Sequence, residues 1–154
     1  MLTKQEIEEI ESETAKVPLR RAACIDALKI VQKHRGYISD EILREIAGFM
    51  EMSAEDLDSV ATFYNLIFRK PVGRNVILLC DSVSCYVMGY EKVYEHLTER
   101  LHIKFGETTR DGRFTLLPNC CLGTCDHAPA LMINNELYKN LTQDKLDEIL
   151  YEYK

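Results

Sequence analysis

Apolar residues recur three and four positions apart from Ile7 to about Phe68, the rhythm of helices with one buried face. Thr3 and Glu6 have the spacing of a capping box, so a first helix opens there with Ile7 and Ile10 on one face. Pro18 breaks that pattern. A second helix is expected from Arg20 to Arg35, carried by Ile25, Leu28 and Val31 and stopped at Gly36. Ser39 opens a third, with the stripe Ile42, Leu43, Ile46, Ala47 and Met50. Asp40 and Glu41 in its first turn face the positive end of the helix dipole. Ser53 and Asp56 start a fourth, running through Leu57, Val60, Ala61 and Tyr64. Four short amphipathic helices with brief connections predict a helical bundle, here placed over residues 1–72.

At Pro71-Val72-Gly73 the periodicity changes, and a second domain is expected over residues 73–154. Val76-Ile77-Leu78-Leu79 is a short unbroken apolar run of the kind that makes a strand buried on both faces, with Cys80 at its end. A helix fits Val87 to Leu101, with Val87, Tyr90, Val93, Tyr94, Leu97 and Leu101 at helical spacing. Phe114 to Leu117 reads as a strand, and Ala130–Ile133, Asn134-Asn135 and Glu136–Tyr138 read as a hairpin. Thr142 caps a last helix carrying Leu146, Ile149, Leu150 and Tyr153. This order puts chemistry-bearing loops at strand ends, as in thioredoxin-like α/β folds. The fold class expected is therefore an α+β chain in two parts, a helical bundle followed by a thioredoxin-like domain.

Composition narrows the function classes. Hydrophobic residues at 46% and charged residues at 29% describe an ordinary globular chain. Nineteen basic against 25 acidic residues give a net charge of −6, which opposes a nucleic-acid binder, because phosphate neutralisation needs a basic face. No stretch approaches the roughly 18 apolar residues that a membrane span requires, so no direct membrane insertion is expected. The N-terminal residues lack the apolar centre of a signal peptide and are too acidic for a transit peptide. The chain is accordingly placed in the cytoplasm, a reducing compartment that disfavours persistent disulfides.

Five of the six cysteines sit in two clusters. Cys80-Asp81-Ser82-Val83-Ser84-Cys85 is a C-x4-C pair, and Pro118-Asn119-Cys120-Cys121-Leu122-Gly123-Thr124-Cys125 offers a second pair. Four soft thiolates arriving as two pairs suit a [2Fe–2S] centre, which needs two per iron. Structural zinc sites use pairs spaced C-x2-4-C, often with histidine, and this spacing lies at or just beyond that edge. A dithiol redox enzyme would carry C-x-x-C, which is absent. Neither a glycine-rich dinucleotide fingerprint nor a phosphate loop is present, so no catalytic site is expected in this chain alone. His127 could tune or ligate the centre, although a supporting or surface place suits it better when four cysteines are at hand. Cys24, beside Ile25 and Leu28, reads as a small buried hydrophobe. Of Phe63, Tyr64 and Phe68, at least two are expected in the core.

Asp111-x-x-Phe114-Thr115-x5-Cys121-Leu122-Gly123-x-Cys125-x-x-Ala128-Pro129, with C-x4-C upstream, resembles the [2Fe–2S] subunit of respiratory NADH:quinone oxidoreductase, the 24-kDa type. Lys29-Ile30-Val31-Gln32-Lys33-His34-Arg35-Gly36 and Val60-Ala61-Thr62-Phe63-Tyr64 extend the likeness through the helical part. The resemblance implies one [2Fe–2S] cluster held by Cys80, Cys85, Cys121 and Cys125, beside a flavoprotein partner subunit that carries FMN and the NADH site. It implies an electron-relay role in the peripheral arm of a complex on the cytoplasmic face of a bacterial inner membrane. The helical domain, which ligation does not need, is then expected to dock that partner. The same module serves NAD-linked hydrogenases and formate dehydrogenases, and a non-redox zinc-stapled domain is the alternative from another class. Cys120 and Cys121 compete for one ligand place. The family pattern, with its ligand directly before Leu-Gly, selects Cys121, supported by Gly123 as a residue free to take a positive φ in a tight loop. Neighbouring residues leaving a strand point to opposite sides, so Cys120 is expected to point into the domain interior.

Overall fold

Caps decide where the helices begin. In the computed structural model, which describes residues 1–153, Thr3 and Glu6 form the reciprocal box. The Glu6 N–H donates to the Thr3 hydroxyl at 3.2 Å, and the Thr3 N–H to the Glu6 carboxylate at 2.7 Å. This starts α1 (Lys4–Thr14). Ser39 and Ser53 cap α3 (Asp40–Phe49) and α4 (Ala54–Phe63) by accepting from Ile42 and Asp56. Between them, α2 (Cys24–Arg35) ends at Gly36. The expected start of α2 at Arg20 is a 3₁₀ turn, Arg20–Ala23, because neither Leu19 nor Ala23 offers a capping oxygen.

The first unit runs from Met1 to Pro71. Its core gathers Ile10, Leu28, Ile38, Ile46, Met50 and Leu57, all fully buried. Cys24 is part of that core, as its apolar neighbours suggested. Polar groups close the unit. Arg35 pairs with the buried Glu6 through two bonds of 2.7 Å, and Arg69 bridges Asp40, Asp58 and the Ile38 carbonyl. The Gln32 side chain holds the returning chain at Leu66 and Phe68.

Two expectations fail at the end of α4. Phe63 is 80% exposed and Tyr64 43% exposed, so the core does not hold two of the three aromatics there. The buried stripe of α4 is Leu57 and Ala61. Phe63, two positions beyond Ala61, lies about 200° round the helix from it. The helix stops before Tyr64 can continue the stripe.

The second unit begins at Val72. Its sheet has the order β2-β1-β3-β4. The central strand, β1 (Asn75–Cys80), is buried from Val76 to its end. Strand β2 (Phe114–Asn119) pairs with β1 in parallel, while β3 (Leu131–Ile133) is antiparallel to β1 and joins β4 (Glu136–Tyr138) through the expected hairpin. Ile77, Leu79, Phe114, Leu116, Leu131 and Ile133 meet Val93, Leu97 and Leu101 of α6 (Tyr90–Leu101) and Leu146 and Ile149 of α7 (Gln143–Glu152). The helix expected from Val87 to Leu101 begins only at Tyr90. A short α5 (Val83–Val87) is cut from α6 at Gly89, whose φ of 110° side-chain-bearing residues rarely adopt. Val87 is therefore not on the apolar face of α6 but 75% exposed. The architecture is an α+β chain in two parts, helices first and a four-stranded sheet with helices second.

Candidate metal centre

Parallel pairing explains how two cysteine loops some forty residues apart come to one place. The register sets Cys80 opposite Asn119, so β1 and β2 end side by side. The chain leaving β1 enters α5 with Cys85 in it, and the chain leaving β2 reaches Cys121 within two residues of the strand end. Backbone bonds hold the two exits: Asp81 N–H donates to Asn119 O at 3.1 Å, and Cys80 N–H to Ala130 O at 3.2 Å. Open sheets bind ligands beyond the carboxyl ends of their parallel strands, where loops diverge.

The four thiols form two pairs of different character. Cys80 and Cys85 are both 2% exposed and pack in one small cluster. They pack with Ala128 and Ala130, against Tyr90 and Leu122. Cys121 and Cys125 are exposed, with their sulfurs 3.2 Å apart. Burial, reinforced by Cys80, pushes the Cys85 thiol up to about 11. Cys121 is shifted the other way, because the Gly123 N–H donates to its sulfur at 3.3 Å and Cys125 adds a second bond. Cys125 is raised by that contact with Cys121, against the lowering effect of the Ser84 hydroxyl. Of the exposed pair, Cys121 is thus the readier thiolate. Gly123 has a φ of 77°, which turns its N–H back onto Cys121.

The donor set fits a dinuclear cluster. Among the described residues no three His, Cys, Asp or Glu side chains are gathered as a site for one ion. The thiols stand as two pairs, on the loops that leave β1 and β2. Two irons need two sulfurs each. Ionising the buried pair requires a compensating cation, which iron supplies.

Cys120 departs from expectation. It is exposed and not in the interior, because the sheet ends at Asn119 and the strand alternation that would turn Cys120 inward ends with it. His127 lies in a 3₁₀ turn, Cys125–His127, and is exposed. Its ring faces Asp126 at 3.3 Å and the Asn140 amide at 3.5 Å, which agrees with a surface place. Three residues near these cysteines carried no motif: Ser84 and Thr124, each next to one in the chain, and Ala130, packed with Cys80 and Cys85. Each is a small residue within five positions of a candidate ligand cysteine, the one signal that pointed to them.

Comparison with known proteins gives a consistent result. A family model described as thioredoxin-like [2Fe–2S] ferredoxin matches residues 10–154. The chain is 50% identical over 153 residues to an NADH-quinone oxidoreductase subunit of Buchnera aphidicola subsp. Acyrthosiphon pisum, covering 99% of this chain and 94% of that one. It is 49% identical to the Escherichia coli K12 protein of the same name, covering 99% and 92%. The Pseudomonas aeruginosa protein of that name is 46% identical, covering 99% and 92%. Among solved structures, an NAD+-reducing [NiFe]-hydrogenase in the air-oxidized state superposes with a TM-score of 0.71 at 24% identity. That match covers 85% of this chain and 22% of the hydrogenase chain, and shows a shared fold.

Proposed function

The chain belongs to the thioredoxin-like [2Fe–2S] ferredoxin family, and from that premise we propose that it is the electron-relay subunit of an NADH-quinone oxidoreductase. Cys80, Cys85, Cys121 and Cys125 hold one [2Fe–2S] cluster, which takes and passes on single electrons. The observation that supports this reading is that adjacent parallel strands end side by side, each leading into a loop with two of the four cysteines. Relatives 46–50% identical over nearly their whole length all bear the name of one subunit of that complex, and they supply the host. NADH and FMN sit on a partner flavoprotein.

Apolar side chains left in the open support such a partner. Phe63, Tyr64 and Leu66 are exposed in the first unit, and Val83, Tyr86, Val87 and Met88 flank Cys85 in the second. The helical unit provides much of the docking surface, and α5 brings the cluster to the partner. No helix among the described residues is long and apolar enough to cross a membrane. The reading places the chain in the peripheral arm of the complex, on the cytoplasmic face of the membrane.

Protein isolated without reconstitution should contain two irons and two acid-labile sulfides per chain, and dithionite should produce the paramagnetic signal of a reduced [2Fe–2S] centre. Stoichiometric zinc with no iron would show a non-redox, metal-stapled domain instead. Affinity purification of the native protein should bring down a flavoprotein containing FMN. A hydrogenase or formate dehydrogenase component in that fraction would reassign the host and leave the cluster intact.

A further inference from the structure

Thr124 lies inside the loop that carries the exposed pair, directly before Cys125. Its side chain is 6% exposed, and its hydroxyl oxygen, out of contact with solvent, has no hydrogen-bond partner. A buried hydroxyl without a partner costs about 1–3 kcal/mol, and native folds nearly always provide one. Two other buried side-chain atoms among the described residues are unpartnered, Glu45 Oε2 and Arg113 Nε. Both belong to charged groups with an opposite charge within 4 Å, so Thr124 alone has nothing.

The polar groups around it are already in use. The Thr124 carbonyl accepts from the His127 N–H at 3.0 Å. The Gly123 N–H donates to the Cys121 sulfur at 3.3 Å. The Gly123 N–H of the same loop therefore serves sulfur, and the Thr124 hydroxyl, one residue on, is a buried donor without a protein acceptor. We propose that Thr124 donates its hydroxyl proton to a sulfur of the bound [2Fe–2S] cluster and thereby raises the cluster's reduction potential. The proposal rests on the cluster reading above. Reduction adds one negative charge to the cluster, and a donor stabilises the more negative form, as hydrogen bonds to cluster sulfurs do in general.

The test is an anaerobic redox titration of the full-length, cluster-loaded protein, followed by its paramagnetic signal, in the wild type and three variants. Thr124→Val keeps the shape and removes the hydroxyl, Thr124→Ala removes it with less bulk, and Thr124→Ser keeps it. A charge-assisted bond of ordinary strength makes the reduced form about tenfold more favourable, which for a one-electron couple is about 59 mV. The valine and alanine variants should titrate lower by that amount, and serine should stay near the wild type. Fe–S stretching bands in resonance Raman spectra should shift less on transfer to D2O in valine and alanine than in wild type and serine. Wild-type potentials and D2O shifts in iron-replete valine or alanine protein would overturn the proposal. So would a serine variant displaced as far as valine, since the methyl group would then be the cause. Wild-type protein with no iron at all is a different result, and defeats the cluster reading itself.

Discussion

The two units solve the problem of stability differently. The helical unit is closed: its core is continuous from Ile10 to Ile67, its helices are capped by Thr3, Ser39 and Ser53, and its buried carboxylate, Glu6, is paired. The sheet unit has a sound core under α6 and α7, yet it is unfinished where β1 and β2 end. There the small cluster of Cys80, Cys85, Ala128 and Ala130 opens onto exposed thiols, and a hydroxyl stays unpartnered. That open end is where the proposed cluster would sit.

The largest expected effect acts on the open end alone. Cys121→Ser should abolish the visible spectrum of the cluster or alter it strongly, since a hard oxygen replaces a soft sulfur. Cys120→Ser should leave the spectrum intact and, because Cys120 is exposed, leave the melting temperature unchanged. The reverse pairing of outcomes would move the ligand assignment to Cys120.

Removing iron should divide the molecule next. Loss of the metal takes binding free energy from a domain of some eighty residues that folds around it. Amide exchange in α5 and in the loop from Cys120 to Cys125 should quicken by more than about a hundredfold, if the cluster supplies roughly 3 kcal/mol of local protection. Rates in α2 and α3 should hold. Equal protection in apo and holo protein would mean that the sheet unit is as self-sufficient as the helical one.

The closed unit has its own weak point in acid. Arg35 hydrogen-bonds the Glu6 carboxylate and lowers its pKa to about 2, from a usual value of 4.5. A carboxyl lowered on folding stabilises the fold above its unfolded pKa, and that contribution fades as pH falls through the folded value. The helical unit should therefore lose stability between about pH 4.5 and 2 through this pair. Glu6→Gln should cost about 2–3 kcal/mol at neutral pH, by leaving Arg35 without its charge partner, and should flatten the acid dependence in that window. Thermal melts at pH 7 and pH 3 measure both, and a variant with the wild-type acid slope would exclude Glu6 as its source.

The smallest effect concerns a single cap. Ser53→Ala removes the acceptor for the Asp56 N–H and should lower stability by about 1 kcal/mol. The cluster's potential should be unmoved, because the cap lies in the other unit. A shift in potential would show that the two units are energetically coupled.

The amino-acid sequence by itself determined whatever depends on residues a few positions apart. Thr3 with Glu6, Ser39 and Ser53 marked helix starts, because a cap is a bond between residues two or three apart. The apolar run ending at Cys80 marked the buried strand, and cysteine spacing marked the two pairs. What only the tertiary structure decided depends on partners far along the chain. The parallel register of β1 and β2 set Cys80 opposite Asn119 and so brought the starts of the two cysteine loops to adjacent strand ends. Packing also fixed where cover runs out, which exposed Cys120 and Phe63 against expectation. Within the loop, Thr124 looks like any small polar residue. Only its burial without a hydrogen-bond partner, one residue from the Gly123 N–H that serves sulfur, singles it out, since burial belongs to the packed molecule and not to a stretch of chain.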